Sequence, residues 1–183
     1  VYHFIPPMPL RVSAMRALGG YMNVFSIESF IDELAAAAGA DPVAFRLRHL
    51  DDARAKAVIT RAAEGFGWGK AKPAAGRGHG FAFARYKNLA AYCAVAVEVA
   101  VEHETGRTRL VRAVAAVDAG QVVNPDGLRN QVEGAILQSA SWTLYESATF
   151  DAAGVTSVDW SSYPIMRFDA VPDSVEVLLI DQQ

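Results

Sequence analysis

A glycine turn followed by a capped helix, between Val117 and Ala135, carries the residue types best suited to chemistry. Asn124 predicts the helix N-cap, because its side-chain oxygen can accept a hydrogen bond from an unpaired backbone N–H. Pro125 suits the first helical position, where its missing N–H costs nothing. Gln131 then offers two donors and an acceptor, and Gly134 removes a side chain beside it. The pattern fits an amide approached closely by a planar polar ligand, and it also fits an ordinary capped helix with a surface Gln.

A second candidate is the loop at residues 16–21, which precedes another helix. Arg16 could donate hydrogen bonds to an oxo or phosphate group. Gly19 and Gly20 predict a backbone that is free to adopt positive φ and to approach a bound group closely. The same residues fit a loop that leads into a helix and carries a surface Arg, so both interpretations stand on these residues alone.

Both segments resemble the molybdenum hydroxylases, the family of xanthine dehydrogenase and aldehyde oxidase. Residues 117–135 are similar to the family's D-x-G-x-x-x-N-P … Q-x-E-G segment, and residues 16–35 to its R-x-x-G … E-x-x-x-D-E-L-A loop and helix. The resemblance covers nearly the whole chain and is strongest to bacterial members such as nicotinate and isoquinoline dehydrogenases. It implies that Arg16 reaches the molybdenum site and that Gln131 lies against the molybdopterin. The glycines implied to clear space for the cofactor are Gly19, Gly20 and Gly134.

The resemblance implies the cofactor-binding part of a catalytic subunit that hydroxylates an aldehyde or an N-heterocycle, with water as the oxygen source. The cofactor expected in the full-length subunit is molybdopterin in its cytosine dinucleotide form, with molybdenum. We expect the isolated chain to hold none and to be inactive. The expected partners are the rest of the large subunit, a [2Fe–2S] electron-transfer subunit, a cytochrome c or flavin subunit, and a small-molecule substrate. The sequence does not decide whether the protein lies in the cytoplasm of a bacterium or at its periplasmic or membrane-associated face.

Two departures from the family pattern concern catalysis. The family's base is a Glu in a G-x-G-E type loop, shortly after the strand that here reaches Gln183. No residue of this chain matches it, so we assign no catalytic residue and expect that Glu beyond Gln183. The family's G-Q-G segment also has no counterpart.

A non-enzymatic α+β scaffold module derived from such a subunit is therefore the alternative hypothesis, and a ligand-binding domain without chemistry is a third. In the enzyme, Arg16 and Gln131 would converge on one cleft; in a scaffold they would point to unrelated surface.

Charge and cysteine content exclude other classes of protein. The net charge is −3 and there is no long basic run, which argues against a nucleic-acid partner. The single Cys93 excludes an internal disulfide. It also excludes an iron–sulfur cluster bound by this chain alone, which would need about four thiolates. The four His residues show no metal-ligand spacing, so we predict no protein-bound metal site.

Hydrophobic periodicity predicts a single α+β domain over residues 1–183, with a helical part at 1–69 and a sheet plus a long helix at 76–183. We expect a mixed or antiparallel sheet. Its strands are rich in Ala and Val, which predicts tight packing against a helix. The long helix after Asn124 is the predicted partner.

The helix that follows Asn23, its predicted N-cap, has one apolar face and an acidic one. Its predicted buried positions lie at helical spacing: Ile27, Phe30, Ile31, Leu34 and Ala38. Glu28, Asp32 and Glu33 lie mostly off that face. A solvated helix face explains these acids better than a metal or catalytic site does.

Overall fold

The chain folds as helices followed by a sheet, which confirms the predicted α+β class. The computed structural model describes residues 16–87 and 89–180. In chain order the elements are α1 (Gly20–Ala37), α2 (Pro42–Arg48), α3 (Ala53–Phe66), β1 (Arg77–Tyr86), β2 (Ala91–Val101), β3 (Thr108–Asp118), α4 (Pro125–Leu144), β4 (Phe150–Asp151), β5 (Gly154–Val155) and β6 (Ser174–Ile180). None of the helices in the described ranges is long and apolar enough to cross a membrane.

The main sheet has four strands in the order β1-β2-β3-β6. β1, β2 and β3 pair antiparallel, and β6 pairs parallel to β3, so the sheet is mixed. The parallel pairing requires a crossover, and α4 lies in the connection between β3 and β6. β4 and β5 form a separate two-stranded hairpin. The crossover therefore places α4, which carries Gln131, next to the end of β3.

Helix α3 forms the centre of the core. Asp52 caps it by accepting hydrogen bonds from the backbone N–H groups of Arg54 and Ala55, at 3.0 and 3.2 Å. Its buried stripe meets small side chains of the sheet; the two sets are Ala55, Val58, Ile59, Ala62 and Phe66 on α3, and Ala94, Ala96, Val114 and Ala116 on β2 and β3. Small side chains on the strands let the helix backbone approach closely.

The predicted packing of the long helix on the sheet is confirmed, but α4 is not the main partner of the Ala- and Val-rich strands. α4 packs against β3 and β6, whereas α3 makes the larger contact with β2 and β3, where the small side chains lie. Ser141 is the only buried residue of α4. The strand pattern indicated that a helix packs tightly on the sheet, and it could not indicate that two helices share this role.

The predicted burial of the apolar face of α1 is wrong. Ile27, Phe30 and Leu34 are 58%, 58% and 40% exposed, whereas Glu28 is buried. The Glu28 carboxylate accepts hydrogen bonds from Arg46 Nε at 2.8 Å and from the Phe83 backbone N–H at 2.7 Å. A buried carboxylate with these partners is compensated for the loss of water, so the acidic face of α1 can turn toward the sheet.

The start of α1 also differs from the prediction. The helix begins at Gly20, three residues before Asn23, and Gly19 occupies the N-cap position without a side-chain hydrogen bond. Asn23 therefore lies within the first turn. The reason is the tight turn just before it, in which the Gly20 N–H donates to the Ala17 carbonyl at 2.8 Å. This turn connects Arg16 directly to the helix.

Candidate functional site

The loop at residues 16–19 carries the Arg of the predicted site. Arg16 Nη1 donates to the side-chain oxygen Oε1 of Gln138 on α4, at 3.0 Å. The positive φ angles in this loop lie at Ala17 (68°) and Leu18 (48°), whereas Gly19 has a φ of −72°. The glycines thus do not use their freedom to adopt positive φ, and their two non-glycine neighbours take that conformation instead. Non-glycine residues in this region cost on the order of 1–3 kcal/mol each, and they cluster at functional sites.

A buried ion pair holds the turn that leads from β3 into α4. Asp118 is fully buried at the end of β3, and its carboxylate accepts two hydrogen bonds from Arg54, both at 2.8 Å. It also accepts the Gly120 N–H at 2.9 Å. The Arg54 guanidinium lies over the Tyr92 ring, 4.3 Å from its centroid. The Asp of the D-x-G pattern therefore anchors the turn to α3.

The N-terminus of α4 follows the predicted capping pattern. Asn124 Oδ1 accepts a hydrogen bond from the Gly127 N–H at 2.9 Å, and Pro125 occupies the first helical position. This confirms the predicted cap. Together with the Asp118 anchor, the cap fixes where the helix starts and so sets which of its side chains face outward.

Gln131 and Gly134 lie on an exposed part of α4. Within residues 16–87 and 89–180, the Gln131 amide has no hydrogen-bond partner. A Cβ added at Gly134, or at Gly20 in α1, would meet no atom of the described chain within 4 Å. One added at Gly19 would lie 3.5 Å from the Asn23 side chain. The space beside these glycines is open.

Arg16 and Gln131 are brought to one side of the same helix. Gln138, the partner of Arg16, follows Gln131 by seven residues, which is close to two helical turns. Residues seven apart share a helix face and are separated by about 10 Å along the axis. Gly134 lies between them in sequence. Gln131, Gly134 and Gln138 with its partner Arg16 thus form one row along α4, which we call the predicted cofactor edge. The row has the Gln131 amide at one end, the Arg16 guanidinium at the other, and open space beside Gly134.

An open cleft of about 400 Å³ adjoins the Arg16 end of this edge. α4 forms one wall, and the segment before β6 forms the other. The lining residues are Leu137, Gln138, Ser141, Trp142, Glu146, Ile165, Met166, Arg167, Phe168 and Val171. Residues 160–167, which form an irregular loop before β6, therefore supply part of a cleft wall.

The cleft contains a hydrogen-bonded acid that the sequence analysis missed. Glu146 accepts hydrogen bonds from the Ser141 hydroxyl and, at 2.8 Å, from the Tyr163 hydroxyl. The bond to Glu146 raises the pKa of Tyr163 above its ordinary value, because deprotonation would lose the bond and place two negative charges together. Ser141 Oγ also accepts the Met166 N–H at 2.9 Å. The network ties the loop to the end of α4. The sequence could not predict this network, because a Ser in a helix five residues before a Glu is a common pattern.

The residues present suit a large polar cofactor better than a metal ion. In the described part of the chain, no group of three or more His, Cys, Asp or Glu side chains is placed to hold a metal. Gln131 can donate and accept at a heterocycle edge, and Arg16 uses one of its five N–H donors on Gln138. Open space at Gly20 and Gly134 permits close approach of a ring system. This donor set fits an organic cofactor with a heterocycle edge and an oxygen-bearing group.

Comparison with known proteins places these features in a family. The model of the molybdopterin cofactor-binding domain matches residues 26–172, which is well over half of the chain. Gln131 and Gly134 lie inside the matched range, and Arg16, Gly19 and Gly20 lie before it.

Two curated bacterial proteins align along almost the whole chain. A nicotinate dehydrogenase subunit from Pseudomonas putida is 39% identical over 95% of this chain and 16% of its own length. An isoquinoline 1-oxidoreductase subunit from Brevundimonas diminuta is 33% identical over 96% of this chain and 22% of its own length. The chain thus spans about a fifth of these relatives or less.

Among solved structures, quinoline 2-oxidoreductase from Pseudomonas putida 86 superposes with a TM-score of 0.47. The superposition has 26% identity and covers 50% of this chain and 12% of that one. On the match to residues 26–172, this chain belongs to the molybdopterin cofactor-binding domain family of the xanthine dehydrogenase and aldehyde oxidase type.

Proposed function

We propose that this chain is the cofactor-binding part of the large subunit of a molybdenum hydroxylase, which oxidises an aldehyde or an N-heterocycle with oxygen derived from water. The observation that carries the proposal is the shared edge of α4, with Gln131 at one end and Arg16 on Gln138 at the other. The relatives named for nicotinate and isoquinoline oxidation support the substrate class.

The residues of this chain would bind and orient the cofactor. The Gln131 amide would donate to and accept from a heterocycle edge, and the free N–H groups of Arg16 would donate to an oxygen at the other end. Gly20 and Gly134 leave room for the rings. When bound, molybdopterin supplies the two-electron oxidation at the substrate carbon. We propose its cytosine dinucleotide form, which also carries phosphates that Arg16 could contact.

We assign no general base to residues 16–87 and 89–180. Glu146 lies in the cleft, but its oxygens already accept hydrogen bonds from Ser141 and Tyr163. A general base must lie within hydrogen-bond reach of the proton that it takes. The bonds from Ser141 and Tyr163 direct the Glu146 carboxylate toward the loop, so we assign Glu146 to holding the loop.

The proposal includes partners that accept the electrons. Cys93, the single Cys of the chain, lies in β2, and burial raises the pKa of its thiol to about 11. A [2Fe–2S] cluster needs about four thiolates. The cluster would therefore reside on another domain or subunit, with a cytochrome c or flavin subunit as the next acceptor. Both relatives are named as subunits, which supports a multi-subunit assembly.

Cofactor content tests the proposal directly. The full-length subunit would be purified with its partners, and molybdenum and pterin would be measured per subunit. We expect Gln131→Ala and Arg16→Ala each to lower both contents several-fold, and acid hydrolysis of the wild type to release cytidine monophosphate. Asn130→Ala, an exposed neighbour on α4, is the matched control and should change neither content. Full cofactor content in both site variants would refute the assigned roles.

A further inference from the structure

The apolar side chains of α1 form an exposed surface. Ile27, Phe30 and Leu34 follow the spacing i, i+3, i+7, so they make one continuous stripe along the helix, which we call the α1 stripe. Met22 and Phe25, 60% and 65% exposed, lie on the other flank. Soluble proteins rarely leave so many large apolar side chains together in water.

Polar contacts, and not apolar burial, hold α1 to the rest of the described chain. Its only buried residues are Glu28 and Ala35. Arg46, 3% exposed, donates to Glu28 and, at 2.7 Å, to Asp32. These bonds fix the orientation of α1 against β1 and direct the α1 stripe away from the sheet. The exposure of the stripe is thus a consequence of defined contacts.

The near end of α1 is continuous with the cleft beside α4. Tyr21 packs edge-to-face on Trp142, with ring centroids 5.6 Å apart, and Trp142 lines the cleft. Arg16, just before α1, bonds to Gln138, another lining residue. Whatever covers the α1 stripe therefore lies close to the predicted cofactor edge.

The charge of α1 points to protein as the covering surface. Its ionised residues are all acidic, and there is no Lys or Arg between Gly20 and Ala37. Glu28 and Asp32 are paired with Arg46, which leaves Glu33 exposed beside the stripe. Helices that lie on membranes carry Lys and Arg on the polar face, because lipid surfaces are anionic. An acidic helix of this kind is repelled by such a surface.

We propose that the α1 stripe is an intramolecular docking surface, covered by another domain of the same large-subunit polypeptide. The proposal rests on the proposed function only in taking the chain as part of a large subunit. Its support is the length of the relatives: the chain spans 16% and 22% of them, so most of their polypeptide lies outside it. The covering surface would be an apolar groove that takes side chains at i, i+3 and i+7.

The test is the accessibility of the α1 stripe in the full-length large subunit, expressed without its partner subunits. Phe30→Cys would be compared with Glu104→Cys, which lies in the exposed turn after β2. Maleimide labelling at each site would be followed by peptide mass spectrometry. We expect labelling at position 30 to be roughly 100-fold slower than at position 104, as for a site that reacts through local opening.

Each alternative occupant has its own outcome, and each would overturn the proposal. Fast labelling at position 30 in the lone subunit, slowed only by partner subunits, would assign the α1 stripe to an intersubunit contact. Protection lost on dilution would assign it to a second copy, and protection gained only on anionic vesicles to a membrane. Hydroxyl-radical footprinting of Ile27, Phe30 and Leu34 in the unaltered subunit gives the same comparison if the Cys variant fails to fold.

Molybdenum content, measured on the subunit with and without its partner subunits, separates this proposal from the proposed function. A subunit that holds molybdenum but labels quickly at position 30 would refute the docking surface and leave the function intact. A subunit with a protected stripe that never acquires molybdenum in the presence of its partners would refute the function and leave the docking surface intact.

Discussion

Glu28 is the residue at which the sequence pattern and the structure differ most. Its carboxylate satisfies the Arg46 guanidinium and the N–H of Phe83 on the edge strand β1. Arg46 in turn donates to the Phe81 carbonyl at 3.2 Å. These two side chains take the hydrogen-bonding places that a neighbouring strand would otherwise take. They therefore join α1 to α2 and protect part of the sheet edge.

Removing the Glu28 carboxylate should destabilise the chain strongly. Glu28→Ala removes one of the two carboxylates paired with the buried Arg46 and leaves the Phe83 N–H without its acceptor. Asp32 still pairs with Arg46, so we expect a loss of about 1–3 kcal/mol, the cost of leaving buried polar groups without a partner. Glu33→Ala, an exposed acid on the same helix, should change the free energy of unfolding by less than about 0.5 kcal/mol. Urea denaturation of the chain measures both. Equal effects of the two substitutions would show that the ion pair does not hold α1.

Cys93, which is half-buried, should react slowly in the folded chain. Burial raises the pKa of its thiol from 9.0 to about 11. Since the thiolate is the reactive form, this lowers the reactive fraction at neutral pH about 100-fold, and limited access lowers the rate further. Reaction with a chromogenic disulfide reagent, followed with and without denaturant, measures the difference. A native rate as high as the unfolded rate would contradict the burial of this side chain.

At the scale of elements, the sequence predicted which segments are helices and strands better than it predicted what covers them. The stripe of α3 at Val58, Ile59 and Ala62 has helical spacing and is buried. The stripe of α1 has helical spacing too, was predicted to be buried, and is exposed. Periodicity reports that a face is apolar, and it carries no information on the partner. The same limit explains why α4 was expected as the main partner of the sheet, a place that α3 takes while α4 packs on β3 and β6.

Gly65 shows how closely α3 approaches the sheet. A Cβ there would lie 2.5 Å from Leu178 Cδ1 and 3.3 Å from Val114 Cγ1. Gly65→Ala gains about 1 kcal/mol of helix propensity but overpacks the core, at a cost of about 1–3 kcal/mol. We expect a net loss of about 1 kcal/mol in the free energy of unfolding, measured by urea denaturation.

Two comparisons separate overpacking from other effects at Gly65. In a Leu178→Ala background the obstructing methyl group is absent, so Gly65→Ala should there be neutral or stabilising. Gly134→Ala on α4, where a Cβ meets nothing, should stabilise the isolated chain by about 0.5–1 kcal/mol. A loss of the same size with and without Leu178 would rule out the close approach of α3 as its cause.

At the scale of the whole molecule, the predicted cofactor edge lies outside the best-packed region. The core is built from α3, β1, β2 and β3, whereas α1 and α4 flank it with few buried residues. The sequence predicted Gln131 and Arg16 from motif residues, and it predicted the Asn124 cap that orients α4. It could not predict the Gln138 contact or the Glu146 network, because each joins residues that only the fold brings together.

Uneven packing predicts uneven hydrogen exchange. In the isolated chain, the amides of β3, whose residues from Ala113 to Asp118 are all buried, should exchange only through global unfolding. Those of α4 should exchange through local opening, with protection factors lower by about 100-fold or more, because Ser141 is its only buried residue. Mass spectrometry of exchanged peptides measures both. In the full-length subunit loaded with cofactor, α4 should gain protection while β3 stays unchanged. If α4 in the isolated chain were already as protected as β3, the helix would be held by the chain's own contacts, and neither the cofactor nor a covering domain would be needed to order it.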